Sequence, residues 1–481
     1  MIRHQLPNAA LASRLRQRCD AMLHHQRSHE LTTPGRLPDS LRLALVSHRR
    51  TGLRTNYGRV VKAMLLVAVV TESSFAQQTA PTARDTAYLD SVFHAHRYPV
   101  DIQAGRLIGT GARFLREATQ HVQFFVLGES HYVAEIPRFS SAIFNELHAS
   151  AGFNYYAVEY GPVIGHMLSA PSMRGEQSRT FELARRYPYA FQFWDDEELK
   201  AISDIGGQTR VRTDAIWGID NEWGALHILE RLVALAPTKE ARMVATALAD
   251  QARTLETQRS FDINAEIKRF ITSPDSAAFS HLRDVFRPTR NSEAAFLIEA
   301  LVTSNQIYRD DAAANRGLPL GYRANSERER YMKALFLDQY RKAQRSGDSL
   351  PRVLVKIGSV HGGKWLSQTY THALGNFLHE FAIANSQESF HLVAWLVNEP
   401  GTYWSITDDP VFQLLGRAGS TRETVIVDFR PLRDLWYAGR LKAMNADMVK
   451  WLFGYDAVLL IGSGTRGSYD QLKDPTPTVR P

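Results

Sequence analysis

Short apolar runs alternate with amphipathic stretches from about residue 105 to residue 465. The runs are Val122–Leu127, Tyr155–Val158, Ala215–Ile219, Val353–Ile357, Leu392–Leu396, Thr424–Val427 and Ala457–Ile461, rich in β-branched and aromatic residues. Runs of that length, apolar at nearly every position, read as strands buried on both faces. Between them the period changes to that of a helix. After Pro137, residues Phe139, Ile143, Phe144 and Leu147 share one helical face, and Gly152 closes the pattern before the next run. A shorter helix is predicted over Leu107–Thr119. Strand, helix, strand implies parallel neighbours joined by right-handed crossovers. The predicted fold is therefore α/β, with a mostly parallel central sheet flanked by helices.

The alternation stops between about residues 225 and 345. That stretch is charged and helical in pattern, as in Leu226–Leu235 and Glu240–Glu256. It reads as a helical insertion over the carboxyl ends of the strands. The expected domain thus covers 77–467, entered through a polar segment to about Asp101. A proline-bearing tail, 468–481, is expected to be disordered.

Charge divides the chain differently. The formal charge is +7, but residues 1–62 hold twelve Lys/Arg against three Asp/Glu, and the remainder holds 45 against 47. The basicity belongs to the N-terminal segment, so no nucleic-acid partner is expected for the folded body. Arg54, Arg59 and Lys62 precede the apolar run Ala63–Val70, and Ser74-Phe75-Ala76 then supplies a small-x-small site. Residues 54–76 therefore read as an export signal cut after Ala76. The run is short of the roughly 20 residues that span a bilayer, so no stable membrane span is expected. Residues 1–53 would then be a basic, disordered leader or a mis-assigned start. The expected location is periplasmic or secreted. Cys19, the only cysteine, lies in that leader. The processed chain would hold no disulfide, no thiolate nucleophile and no cysteine-ligated zinc.

Candidate chemistry gathers where strands end, which is where α/β sheets carry their sites. The first run leads into Gly128-Glu129-Ser130-His131, a carboxylate and an imidazole two residues apart. Such a pair can hold a proton, a metal or an oxyanion, or can simply cap a helix and bond to backbone. Glu159 closes the second run, and a buried strand end tolerates a carboxylate only with a partner. His361 follows the Val353–Ile357 run in Gly358-Ser359-Val360-His361-Gly362. Arg328 opens Arg328-Glu329-Arg330-Tyr331-Met332 on a helix expected to run to Tyr340, where it would clamp a carboxylate, stabilise an oxyanion or stand as a solvated charge. Asp220 and Asp428 are two more strand-end acids, the second a natural partner for Arg430.

These motifs, in this order, resemble the erythromycin esterase-like proteins and their ChaN- and Tiki-like relatives. The resemblance runs from Gly128-Glu129-Ser130-His131 through Ala157-Val158-Glu159, Tyr189–Leu199, Trp217-Gly218-Ile219-Asp220, Arg328–Met332 and His361 to Tyr455-Asp456-Ala457-Val458. It implies a hydrolase that needs no metal, in which histidine-activated water attacks an ester or lactone of a small molecule. Carried over by motif, His131 is the base, Glu129 and Glu159 orient it and balance its charge, and Arg328 and His361 bind the oxyanion or the substrate. Two features depart from the pattern. One residue, not two, separates Glu129 from His131, and Gly358 stands where the esterases carry the first of two histidines. The alternative implied by the ChaN- and Tiki-like relatives is a haem- or divalent-metal-binding protein that uses Glu129, His131, Glu159 or His361.

Overall fold

The structure is a computed structural model that describes residues 81–473, apart from 171–172, 174, 210–213, 257–268, 274, 399–404 and 411. The chain divides after Gln78 into two units. The first unit, with the expected leader and export segment, lies outside the described residues, as do 474–481. No described helix is long and apolar enough to cross a membrane.

Ten strands are described: β1 (Arg97–Pro99), β2 (Asp101–Gln103), β3 (Arg106–Ile108), β4 (Val122–Glu129), β5 (Tyr155–Val158), β6 (Ile216–Gly218), β7 (Val353–Gly358), β8 (Glu388–Val397), β9 (Val425–Asp428) and β10 (Ala457–Gly462). Eight form one sheet in the order β1-β9-β10-β8-β4-β7-β5-β6, and β2 and β3 pair separately. From β10 to β6 every pairing is parallel, whereas β9 runs antiparallel to both β10 and β1. This is the α/β architecture expected from the pattern, a mostly parallel sheet flanked by helices. Six strands therefore point their carboxyl ends at one edge, and that edge carries the site.

Every residue of β4 is buried, because both faces of the sheet are covered. Phe125 and Leu127 pack with Ile143, Phe144 and Leu147 of the helix Glu135–Ala151. Phe124 and Val126 face the other way, onto Met332, Phe336, Leu374 and Leu378. Gln123, the one polar residue in the lower half of β4, donates to Tyr340 Oη at 2.9 Å and to the Pro351 carbonyl at 3.3 Å. Its burial is tolerated because those bonds replace water. Gly128 lets the ring of Tyr455 lie directly against the strand, where a Cβ would collide with its hydroxyl.

Three segments differ from expectation. The polar entry segment carries a helix and a strand for which no element was predicted. Thr82 and Asp85 form a reciprocal capping box that opens a helix, Ala83–Ala95, and β1 then adds to the sheet edge. The helix expected from Leu107 begins only at Thr110, because Gly109 turns the chain at φ 90° after the short strand β3. The tail is ordered at its start. Residues Asp470–Lys473 are helical, Ser468 Oγ donates to Asp196 Oδ2 at 3.1 Å, and the Gln471 amide donates to the same oxygen at 3.1 Å.

The insertion resolves into helices Leu226–Leu235, Lys239–Glu256, Ser276–Phe286 and Glu293–Ala314, followed by Gly321–Arg345. The last is a layer of the core and not a cover. Met332, Phe336, Tyr340 and Ala343 recur at helical spacing and are buried on the sheet. Packing of that stripe fixes the helix and brings Arg328 and Glu329, one turn earlier, to the strand carboxyl ends.

Candidate active site

Four of the five expected residues meet within one network, and the fifth joins it electrostatically. His131 follows β4 and stands between two carboxylates. Its Nδ1 lies 3.3 Å from Glu129 Oε1, and its Nε2 lies 3.9 Å from Glu159 Oε2. Neither approach is an aligned hydrogen bond, and Nδ1 has no hydrogen-bond partner. The imidazole keeps 25% of its side-chain surface exposed. Phe193 stacks flat on the ring, 3.7 Å between centroids and 9° between planes. Phe193 holds φ at 51°, a left-handed conformation that bulky residues rarely adopt, and the stack is made from that position.

Each carboxylate has its own cation. Glu129 Oε2 lies 2.6 Å from Lys356 Nζ, which also reaches Glu198 Oε2 at 2.8 Å. Glu159 Oε1 accepts from Arg328 at 2.8 Å, and its Oε2 accepts from the Gly358 amide at 2.6 Å. Arg328 is held by Asp220 as well, at 2.9 and 2.6 Å through two nitrogens. That bidentate fork fixes the guanidinium plane. His361 donates from Nδ1 to Glu329 Oε1, 2.7 Å away, and contributes to the field on Glu159.

The titration behaviour follows from these contacts. Burial pushes the Glu129 carboxyl up, but Lys356 and His131 outweigh it and bring it down to about 2. Burial likewise raises Glu159, and His131, Arg328, His361 and the Gly358 amide together lower it. Burial disfavours the imidazolium of His131, yet Glu159 and Glu129 prevail and raise it above its ordinary value. Glu198 moves the other way. Its desolvation exceeds the help from Lys356, and Glu129 repels it, so it rises to about 7. Two acids that share one ammonium cannot both be fully neutralised, and the one farther from His131⁺ takes up the proton first.

Of the readings its sequence position offered, Arg328 takes that of the carboxylate clamp. Three of its hydrogen bonds go to Asp220 and Glu159, so it positions Glu159 and keeps it ionised. Asp220 joins the site through that fork. Asp428 does not join it. It pairs with Arg430 at 2.9 and 3.0 Å, and β9 is antiparallel, so its end lies beside the start of β10.

Gly358 closes β7 against His131. A Cβ there would stand 3.1 Å from His131 Nε2 and 3.2 Å from Glu159 Oε2. Any side chain at this position would project between the two groups.

Lys356, Glu198, Glu329 and Phe193 were not singled out from the sequence. Lys356 did leave a signal, as the lone charge in the buried run Val353-Leu354-Val355-Lys356-Ile357. Glu198 lies in the acidic end of the Tyr189–Leu199 segment, where three neighbouring acids mask it.

Glu129, His131 and Glu159 also have the donor types of a divalent-metal site, with one ligand atom from each within 4.8 Å of the others. Lys356 and Arg328 already balance the two carboxylates, so a dication would have to compete with both.

No protein-family model matches the chain, and no curated protein matches it. Solved structures do. A succinoglycan biosynthesis protein superposes with a TM-score of 0.50 at 12% identity, over 80% of this chain and 99% of that one. A mutant erythromycin esterase in its open conformation gives 0.46 at 15% identity, over 74% of this chain and 94% of that one. A Bacillus cereus protein gives 0.46 at 13% identity, over 80% and 98% of the two chains. The first likeness is one of fold.

Proposed function

We propose that this chain is a hydrolase of the erythromycin esterase-like group, in which His131 activates water to attack an ester or lactone. The observation that carries the reading is the imidazole between Glu129 and Glu159, at 3.3 and 3.9 Å, each acid backed by a buried or half-buried cation. The ordered series of sequence motifs supports the same assignment.

In this reading water approaches His131 Nε2 on the side of Glu159 and Gly358. Nε2 takes its proton as the oxygen attacks the carbonyl carbon. The imidazolium that forms lies between two ionised acids, which lower the cost of its charge. Glu129 and Glu159 are the orienting and charge-balancing groups. Lys356 and Arg328 keep those acids ionised inside a low-dielectric setting. The proton then passes from His131 to the leaving alkoxide as the tetrahedral intermediate collapses. His361 donates from Nδ1 to Glu329, so its Nε2 serves the oxyanion as the second N–H of an imidazolium, or accepts from a substrate hydroxyl as a neutral ring. We place the protein outside the cytoplasm on the strength of residues 54–76 alone.

The test is turnover of an activated ester such as 4-nitrophenyl butyrate. His131→Ala and Glu159→Gln are each expected to lower kcat/KM by about 100-fold or more, the scale of a lost general base. Their circular dichroism and urea unfolding should stay those of folded proteins. Undiminished turnover in a folded His131→Ala protein would overturn the reading.

The clustering of three ligand atoms within 4.8 Å favours one second reading, a divalent metal on Glu129, His131 and Glu159. Elemental analysis of purified protein decides it. One equivalent of metal, lost with His131→Ala, would replace the metal-free mechanism, and a Soret titration settles haem in the same preparation.

A further inference from the structure

The loop after β6 holds four consecutive residues with polar side-chain groups, Asp220-Asn221-Glu222-Trp223, and two of them have their partners. Asp220 is taken by Arg328. Glu222 accepts from the Val163 amide at 2.7 Å and lies 3.2 Å from His227 Nε2. Asn221 and Trp223 are different. Asn221 is 1% exposed, yet neither its amide nitrogen nor its oxygen has a hydrogen-bond partner, and the Trp223 indole N–H has none either. Buried polar atoms are seldom left so without reason.

Against Trp223 lies Arg269. Its guanidinium carbon sits 3.4 Å from the Trp223 ring centroid and 4.5 Å from that of Tyr308. One nitrogen donates to the Trp223 carbonyl at 3.3 Å, and Nε has no partner. Among the described residues no carboxylate pairs with Arg269. Glu256, which bonds to the adjacent residue Phe270, spends its oxygens on the amides of Ala225, Leu226 and Phe270. The arginine is thus a held cation between two aromatic rings, with no carboxylate partner among the described residues.

Arg269 also belongs to the surroundings of His131. Phe193 stacks on His131 at 3.7 Å, Trp223 meets Phe193 at 5.8 Å, and Arg269 covers Trp223. Across from it, Tyr308 lies in the field of Asp220 and Arg328. Ring contacts in series therefore link the imidazole to the guanidinium through Phe193 and Trp223.

We propose that Arg269 recognises an anionic group, a carboxylate or a sulfate or phosphate monoester, on a substrate whose flat or apolar body lies along Phe193 and Trp223. The proposal rests on the hydrolase reading for what happens to the bound molecule, but not for the binding itself. The charge is gripped three contacts away from His131, so its binding energy positions a scissile bond that it does not touch. A guanidinium clamped by rings loses little entropy on pairing, and its planar fork suits a two-oxygen anion. The same charge repels a cationic substrate.

Two esters of equal length test this: 4-nitrophenyl octanoate and mono-4-nitrophenyl suberate, which differ by a terminal carboxylate. The wild-type kcat/KM is expected to favour the suberate by about tenfold or more, the scale of one charge-assisted pair. In Arg269→Gln that ratio should collapse, chiefly through KM, and Arg269→Lys should retain part of it. Equal wild-type turnover of the two esters, or a ratio unmoved by Arg269→Gln, would overturn the proposal. Suberate itself provides the independent arm, through quenching of tryptophan fluorescence in wild-type and His131→Ala proteins. Suberate binding that Arg269→Gln abolishes, with neither ester turned over, upholds the anion site and removes the hydrolase. Turnover of both esters without preference, and no suberate binding, does the reverse.

Discussion

Lys356→Met removes the ammonium beneath the site and leaves its two carboxylates to each other. The lysine side chain is 2% exposed and reaches Glu129 at 2.6 Å and Glu198 at 2.8 Å. Methionine fills much the same volume, so the loss is one of charge. Two routes give its size. Depression of Glu129 from 4.5 to about 2 corresponds to about 3 kcal/mol at 1.36 kcal/mol per unit, part of it due to His131. Breaking a buried ion pair by deleting one partner costs about 3–5 kcal/mol in general. A loss of about 3 kcal/mol at pH 7 is therefore expected. Its pH dependence has a definite sign. A carboxylate whose pKa is lowered on folding contributes stability above its unfolded value near 4.5, and that contribution disappears as pH falls towards about 2. The deficit of the variant should be full at pH 7 and narrow in acid. Urea unfolding at pH 7 and at pH 4 measures both values, and adding Glu129→Gln to the variant should recover part of the loss, since the unpaired anion is then gone. A deficit under about 1 kcal/mol at pH 7 would refute the reasoning, because it would mean that Lys356 is not the counter-ion of a desolvated acid.

Two further predictions concern the chemistry. Burial opposes charge on His131, but Glu159 and Glu129 overcome it and raise the imidazole above 6.5, and a general base works only when neutral; kcat/KM should therefore rise with pH through a midpoint above 6.5, and Glu129→Gln should move that midpoint down. Gly358→Ala places a Cβ 3.1 Å from His131 Nε2 and 3.2 Å from Glu159 Oε2, so kcat should fall while urea stability changes by less than about 1 kcal/mol, since the φ of −50° suits any residue; unchanged kcat would show that nothing reacts in that gap.

The order of the elements was readable before any coordinates. All seven apolar runs became strands of the main sheet, because a strand buried on both faces is apolar almost throughout, and the polar exceptions, Gln123 and Lys356, have buried partners. Their carboxyl ends marked where Glu129, His131 and Glu159 would face one another, since parallel strands end at a common edge. The edge strand β1 was not readable. Arg97-Tyr98-Pro99 is polar and short, and its place is set by pairing with β9. The helix Gly321–Arg345 gave a correct pattern and a misleading role, for an amphipathic stripe records which face is buried and not what buries it.

Residue identity along the chain determined the α/β class, the strand-end position of the acids and imidazoles, and the contrast between a basic N-terminal segment and a nearly neutral remainder. The tertiary structure alone decided which charges meet. Arg328 finds Asp220 from 108 positions away and Glu159 from 169, and Lys356 finds Glu129 and Glu198 only because β7 lies beside β4 and the helix Asp196–Gln208 packs above. Periodicity is a local property, governed by hydrogen bonds and burial within one element. Ion pairing depends on distances across the sheet, and those are set by topology and packing.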